Sequence, residues 1–203
     1  MSINVANNQS LTAITALPAA VSGSAMTLLE TQTASSSATI SFTSNIDSTY
    51  KEYVFKFINI HPQTDDTHFT INFSSDAGSS YNVTKTTNLF VSQHAENAGF
   101  AGLSYQGSID LAQSTAAQQL CFGLGNDNDE NMCGTLNLYS PSNTTFAKHF
   151  LSECSSPSHD TSPEQTHVFV SGYGNTTSAI DAVQFAMSSG NIDSGVIKLY
   201  GIS

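Results

Sequence analysis

An all-β fold, an antiparallel β-sandwich of jelly-roll-like character preceded by an extended N-terminal arm, is what this sequence predicts. Three observations carry the prediction. Apolar side chains recur at every second residue through most of the chain, turn-forming residues interrupt them at close spacing, and no helical stretch alternates with the strands. Such a pattern builds sheets buried on one face and excludes a parallel α/β architecture.

In chain order, residues 1–35 come first as the arm. They are rich in Ala, Ser, Thr and Asn, lack any aromatic residue and carry a single charge, Glu30. A segment of this kind buries too little apolar surface on its own to offset its ordering entropy, so order is expected only against its own domain or a neighbouring subunit. Its last part, Met26–Glu30, reads as a first strand. Residues 36–203 are assigned to the sandwich. Ile40 and Phe42 open it, followed by Tyr53, Phe55 and Phe57 alternating with Glu52, Val54 and Lys56, and by Phe69, Ile71 and Phe73 alternating with Thr70 and Asn72. The turns Asn45–Ser48, His61–Asp66 and Ser75–Ser79 separate these runs.

A polar strand is expected around Tyr81–Val91, then a loop at His94–Gly99, a strand within Leu103–Leu111 and a short helical turn over Ala112–Gln119. Further strands are expected at 119–123, Thr135–Tyr139, Thr145–Leu151, Thr166–Tyr173, Val183–Ser188 and Gly195–Tyr200. The Ser/Pro-rich stretch Ser155–Pro163 reads as a loop. Asn175–Asp181 reads as one helical turn capped by Thr176 or Thr177.

Composition bounds the function. The 203 residues suffice for one domain with a core. Only 10% of them are charged, against about 25% in an ordinary soluble domain. The net charge is −11, there is no arginine, and Lys51, Lys56, Lys85, Lys148 and Lys198 are scattered singly. Neutralising a phosphate backbone needs clustered cations, so nucleic acid and anionic lipid are poor partners. Cys121, Cys133 and Cys154 show neither a C-x-x-C spacing nor an even count. Reduced, partly buried thiols are the favoured reading over a 121–133 bridge. No Lys or Arg precedes Lys51, and no run approaches the ~18 apolar residues of a membrane helix, so the expectation is a soluble, untargeted chain without membrane insertion.

Motifs for chemistry are sparse. In Gly125–Asn131 the residues Asp127, Asp129 and Asn131 follow the i, i+2, i+4 spacing of the first half of a calcium loop, but Met132 and Leu138 stand where that loop needs Gly and Glu. A solvated loop is the favoured reading, with calcium as the one cofactor these oxygens suggest. His61, His68, His94, His149, His159 and His167 form no H-x-H or H-x-x-x-H pair, and no G-x-S-x-G elbow or phosphate-binding glycine loop is present. No catalytic, cofactor-binding or metal residue is therefore assigned, and the chain is not read as an enzyme.

Several strings carry a resemblance. Ile46-Asp-Ser-Thr-Tyr-Lys-Glu-Tyr-Val-Phe-Lys-Phe57, Ile60-His-Pro62, Tyr173-Gly-Asn-Thr-Thr-Ser-Ala-Ile-Asp181 and Ser189-Gly-Asn-Ile-Asp-Ser-Gly-Val-Ile-Lys-Leu-Tyr-Gly-Ile202 are similar to strings in small virion proteins and C-terminal fibre domains of marine bacteriophages such as cyanophages and pelagiphages. Phe73–Thr84 and Gly125–Asp129 match the same group. The resemblance spans about residues 24–202 and implies a virion component assembled in the host cytoplasm. Sheet edges and an apolar N-terminal arm in addition favour homo-oligomers, and the arm would contact other virion proteins. A tail-fibre or appendage role in host attachment is favoured over capsid decoration. The loops 92–102, 125–133 and 155–165 would face outward. The alternative is a carbohydrate-binding sandwich that contacts host-surface glycan through exposed rings, for which Tyr105 and Tyr139 are the residues to test.

Overall fold

In the computed structural model, which describes residues 25–159 and 164–203, period-two alternation becomes twelve strands in two antiparallel sheets. They are β1 (Met26–Ser37), β2 (Ile40–Phe42), β3 (Glu52–Pro62), β4 (Thr67–Ser74), β5 (Lys85–Ala95) and β6 (Ala101–Tyr105), then β7 (Gln118–Leu124), β8 (Met132–Tyr139), β9 (Lys148–Pro157), β10 (Glu164–Gly174), β11 (Ala182–Met187) and β12 (Ile192–Ile202). The large sheet has the order β1-β12-β3-β8-β9-β10-β5-β6 and the small one β2-β11-β4-β7.

The inward residues of both sheets meet in one core. Phe185 on β11 is its hub, with ring centroids 6.2 Å from Phe42, 5.3 Å from Phe55, 5.2 Å from Phe57 and 5.6 Å from Phe69. All five rings are buried. Most of these pairs are edge-to-face, the arrangement that aromatic quadrupoles favour. Farther along, Phe73 packs on Phe150 at 5.2 Å. Tyr53 is buried with its ring, and its hydroxyl is satisfied by Asp47, donating to that residue's carbonyl at 3.0 Å.

The N-terminal boundary differs from expectation. Residues 26–37 form β1, paired with β12 from Met26↔Ile202 to Ser37↔Ile192, so a boundary at residue 35 falls inside a strand. Only Ala34 of β1 is buried, which explains why the local pattern is faint. Its order comes from pairing with a strand more than 150 residues away. The remainder of the expected arm, residues 1–24, lies outside the described residues. The C-terminal run is indeed a strand, and β12 lies between β1 and β3. Gly195 sits at a register shift between β12 and β3 with φ of 125°, and a Cβ there would meet the carbonyl oxygen of Asn59 at 2.7 Å. Both the conformation and the close approach demand glycine.

No helix occurs among the described residues, and the two expected helical turns are absent for one reason. Their backbone groups are taken by distant partners. Lys85 N–H donates to the Ser114 carbonyl at 2.7 Å, Ser114 N–H returns a bond to Lys85 at 3.0 Å, and Thr87 N–H donates to Leu111. In the second segment Asn175, Ile180 and Asp181 donate to Thr84, Pro141 and Ser74. Thr176 does accept from Ser178 N–H at 3.0 Å, as a cap would, but no helix follows. Other boundaries move as well. Tyr81–Thr84 precede β5 rather than belonging to it, and His94 and Ala95 complete β5. The expected strand within Leu103–Leu111 stops at Tyr105, and Ser155–Pro157 extend β9.

Two of the five lysines are fully buried. Lys85 and Lys148 both pair with Gly174, from opposite sides, at the end of β10.

Candidate binding face on the large sheet

Strands β9, β10 and β5 alternate between core and surface, broken only at Gly172 and Gln93. Val168 and Val170 of β10 point inward, so His167, Phe169, Ser171 and Tyr173 point out. Register then sets their neighbours. Phe169 lies between Phe90 on β5 and Glu153 on β9, Ser171 between Asn88 and Leu151, and Tyr173 between Thr86 and His149. The outer face therefore carries two ring groups four residues apart on β10, separated by a polar and aliphatic row.

Their geometry is specific. Phe90 and Phe169 stack with centroids 4.8 Å apart and planes at 12°. His167 tilts onto Phe169 at 4.1 Å. The second group is His149 against Tyr173 at 5.9 Å. Between them Ser171 Oγ donates to Asn88 Oδ1 at 2.6 Å. Three shallow depressions follow the face: about 350 Å³ beside His149 and Tyr173, about 150 Å³ beside Phe90 and Phe169, and about 390 Å³ between Lys56, Glu153 and His167. The first two share Asn88, Leu151 and Ser171, and the last two share Glu153. Rings for stacking and amide, hydroxyl and carboxylate groups for hydrogen bonding thus line one continuous track.

The track ends at β6. All five residues of this strand are exposed, Leu103 at 71% and Tyr105 at 61%, and β5 is its sole strand neighbour. Phe90 pairs with Tyr105 and Ser92 with Leu103, which extends the apolar surface to the sheet edge. Tyr105 is tied down by a hydrogen bond from its hydroxyl to the Asp110 carboxylate, and that bond with the nearby negative charge raises its phenol above the usual range. The β1 edge is also open, with Leu28 51% exposed, but its polar side chains bond to the segment around β2. Gln32 donates to the Ser41 carbonyl at 2.7 Å, and Glu30 accepts from Ser44 and Asn45. An unshielded apolar edge is a template for another chain.

The residues singled out in sequence fall elsewhere. In the loop between β7 and β8, Asp127 and Asp129 are exposed. Glu130 folds back so that its carboxylate accepts from Asp127 N–H at 3.1 Å, while its own N–H donates to the Asp127 carbonyl at 2.9 Å. Asn131 turns away to donate to Asn59 Oδ1 at 3.1 Å, in a polar depression with His61 and Asp193. The loop is organised by its own hydrogen bonds, and among the described residues no group of three or more His, Cys, Asp or Glu side chains is arranged to hold a metal ion. His68, His149 and His167 do lie in strands, β4, β9 and β10. The thiols are all free: Cys121 and Cys154 are buried and Cys133 is exposed. Burial pushes the Cys121 thiol up to about 11. Tyr139 is half-buried at the end of β8, beside Phe146 and His149. Of the loops expected to face outward, 96–100 and 126–129 are exposed, and 160–163 lie outside the described residues.

Alternation within a single strand does not single out Phe90 and Phe169, which lie on the outer face. A signal existed. Leu89-Phe-Val91 and Val168-Phe-Val170 are unbroken apolar runs, which mark strands apolar on both faces.

Compared with protein-family models, curated proteins and solved structures, the chain matches none of them.

Proposed function

We propose that this chain is a structural protein exposed on a bacteriophage virion, carried on a tail fibre or appendage and engaged in host attachment. The observation that carries the reading is the exposed ring-lined track of β9, β10 and β5, which runs out onto the open edge strand β6. An apolar surface of this kind is a feature of proteins that dock. The sequence strings similar to marine phage virion and fibre proteins supply the context. A low-charge exterior keeps such contacts nearly independent of salt, since screening acts on charges. Symmetric self-association and contacts to other virion proteins use the same kind of surface.

Mass spectrometry and cryo-EM of purified particles test the proposal. The chain is expected in the particle, in density on the tail appendage. Density on the capsid lattice would move the role to decoration, and absence from purified particles would overturn the proposal.

A carbohydrate-binding module is the second reading, and the alternation of rings with Asn88, Ser171 and Glu153 favours it. Sugar rings stack through their C–H faces while their hydroxyls seek such polar groups. Binding on a glycan array that is lost in Phe169→Ala and Tyr105→Ala would support it. No binding by the wild-type chain would remove it.

A further inference from the structure

We propose that Lys85 and Asn72 condense into an intramolecular isopeptide bond that staples the large sheet to the small one. Lys85 opens β5 in the large sheet and Asn72 sits on β4 in the small sheet, thirteen residues earlier. The Lys85 side chain is fully buried, and its Nζ donates to Asn72 Oδ1 and to the Val83 carbonyl, the latter at 2.9 Å. The amine is thus held against the side-chain amide by the fold.

The amide is prepared on both sides. Its oxygen also accepts the N–H of Phe73 at 3.2 Å, a donor placed to stabilise negative charge on that oxygen. Its nitrogen donates to the Thr115 carbonyl at 3.2 Å, which fixes the amide orientation with oxygen toward Lys85. Burial pushes the Lys85 amine down to about 8. Roughly a tenth of it is then neutral, and so nucleophilic, at pH 7. A pair held in contact reacts as though at very high concentration.

The step balances without a co-reactant. The ammonium first gives up one proton, and the lone pair of the neutral Nζ attacks Asn72 Cγ, moving the carbonyl π pair onto Oδ1. A proton passes from Nζ to Nδ2, the Oδ1 pair returns, and the Cγ–Nδ2 bond breaks. Ammonia leaves and takes up the proton released at the start. A secondary amide joins Nζ to Cγ, and nothing is oxidised or reduced.

Lys148 is the internal control. Its side chain is also buried, though burial lowers its amine less than that of Lys85, and its Nζ donates to the backbone carbonyls of Phe146 and Thr176, with no side-chain amide as partner. With no side-chain amide to attack, it forms no cross-link there.

Intact-mass measurement on the folded full chain, incubated at pH 8, tests the proposal. The expected result is a mass lower than the sequence mass by one ammonia, with a peptide map that joins the segments containing residues 72 and 85. Lys85→Met and Asn72→Leu are expected to show their full sequence masses, and Lys148→Met to keep the loss. A wild-type chain at its full sequence mass overturns the proposal, and needs no variant to fold. So does an ammonia loss that persists in Lys85→Met, which would mark a cyclic imide at an asparagine.

Discussion

Two stacked phenylalanine pairs occupy opposite environments in this sandwich, one in the core between the sheets and one on the outer face of the large sheet. Phe69 and Phe185 stack at 5.6 Å and 5°, and Phe90 and Phe169 at 4.8 Å and 12°. The ring geometry is nearly the same, but the surroundings are not. The first pair is wholly buried and wrapped by Phe42, Phe55 and Phe57. In the second, Phe90 is 40% exposed and Phe169 is half-buried on the outer face. Stacking alone is worth about 0.5–1.5 kcal/mol, whereas burying an aromatic side chain contributes more and leaves a cavity when lost. The inner pair therefore governs stability, and the outer pair is left for the proposed contacts.

The largest test of that division is Phe185→Ala. It removes a ring shared by four others, and the expected loss is about 3–5 kcal/mol in urea denaturation. A loss below about 1 kcal/mol would place the hub elsewhere.

Charge inside the sandwich gives a second, smaller effect. In Asn72→Leu, Lys85 remains an amine. Its folded-state value lies near 8 against an ordinary 10.5, so between those pH values the unfolded chain binds more protons than the folded one. Stability should therefore rise with pH across that window and level off above it, by about 3 kcal/mol in total. A flat or falling profile would mean that the amine is not desolvated.

Phe169→Ala should cost only about 0.5–1.5 kcal/mol of stability, the worth of the exposed stack. It should nevertheless abolish whatever association the wild-type chain shows with glycan or with its own copies. A stability loss matching that of Phe185→Ala would erase the distinction between the two pairs.

The smallest effect concerns the thiols. A water-soluble thiol reagent should modify Cys133 alone in the native protein, because burial raises both Cys121 and Cys154 and shields them. Rapid labelling of all three without denaturant would show that the core opens readily.

The fold was legible because its signal is local and repeated. Alternation in Phe69-Thr-Ile-Asn-Phe73 and in Tyr53–Phe57 puts apolar side chains on one face whatever the partner strand is. The candidate face was less so. The Asp127–Asn131 turn stood out because its oxygens are close in sequence, but there they serve the turn itself and a neighbouring asparagine. The track, in contrast, takes its residues from three strands, and Phe90 meets Phe169 only through register.

The residues alone therefore determined the all-β class, the strand character of the C-terminal run and the low-charge exterior, since each depends on neighbours within a few positions. Tertiary structure decided that residues 26–37 form an edge strand, that 112–117 and 175–181 are not helical, and that Lys85 meets Asn72. It also decided which phenylalanines are left outside. Each of these rests on a hydrogen bond or contact between distant segments, and only chain topology specifies such a partner.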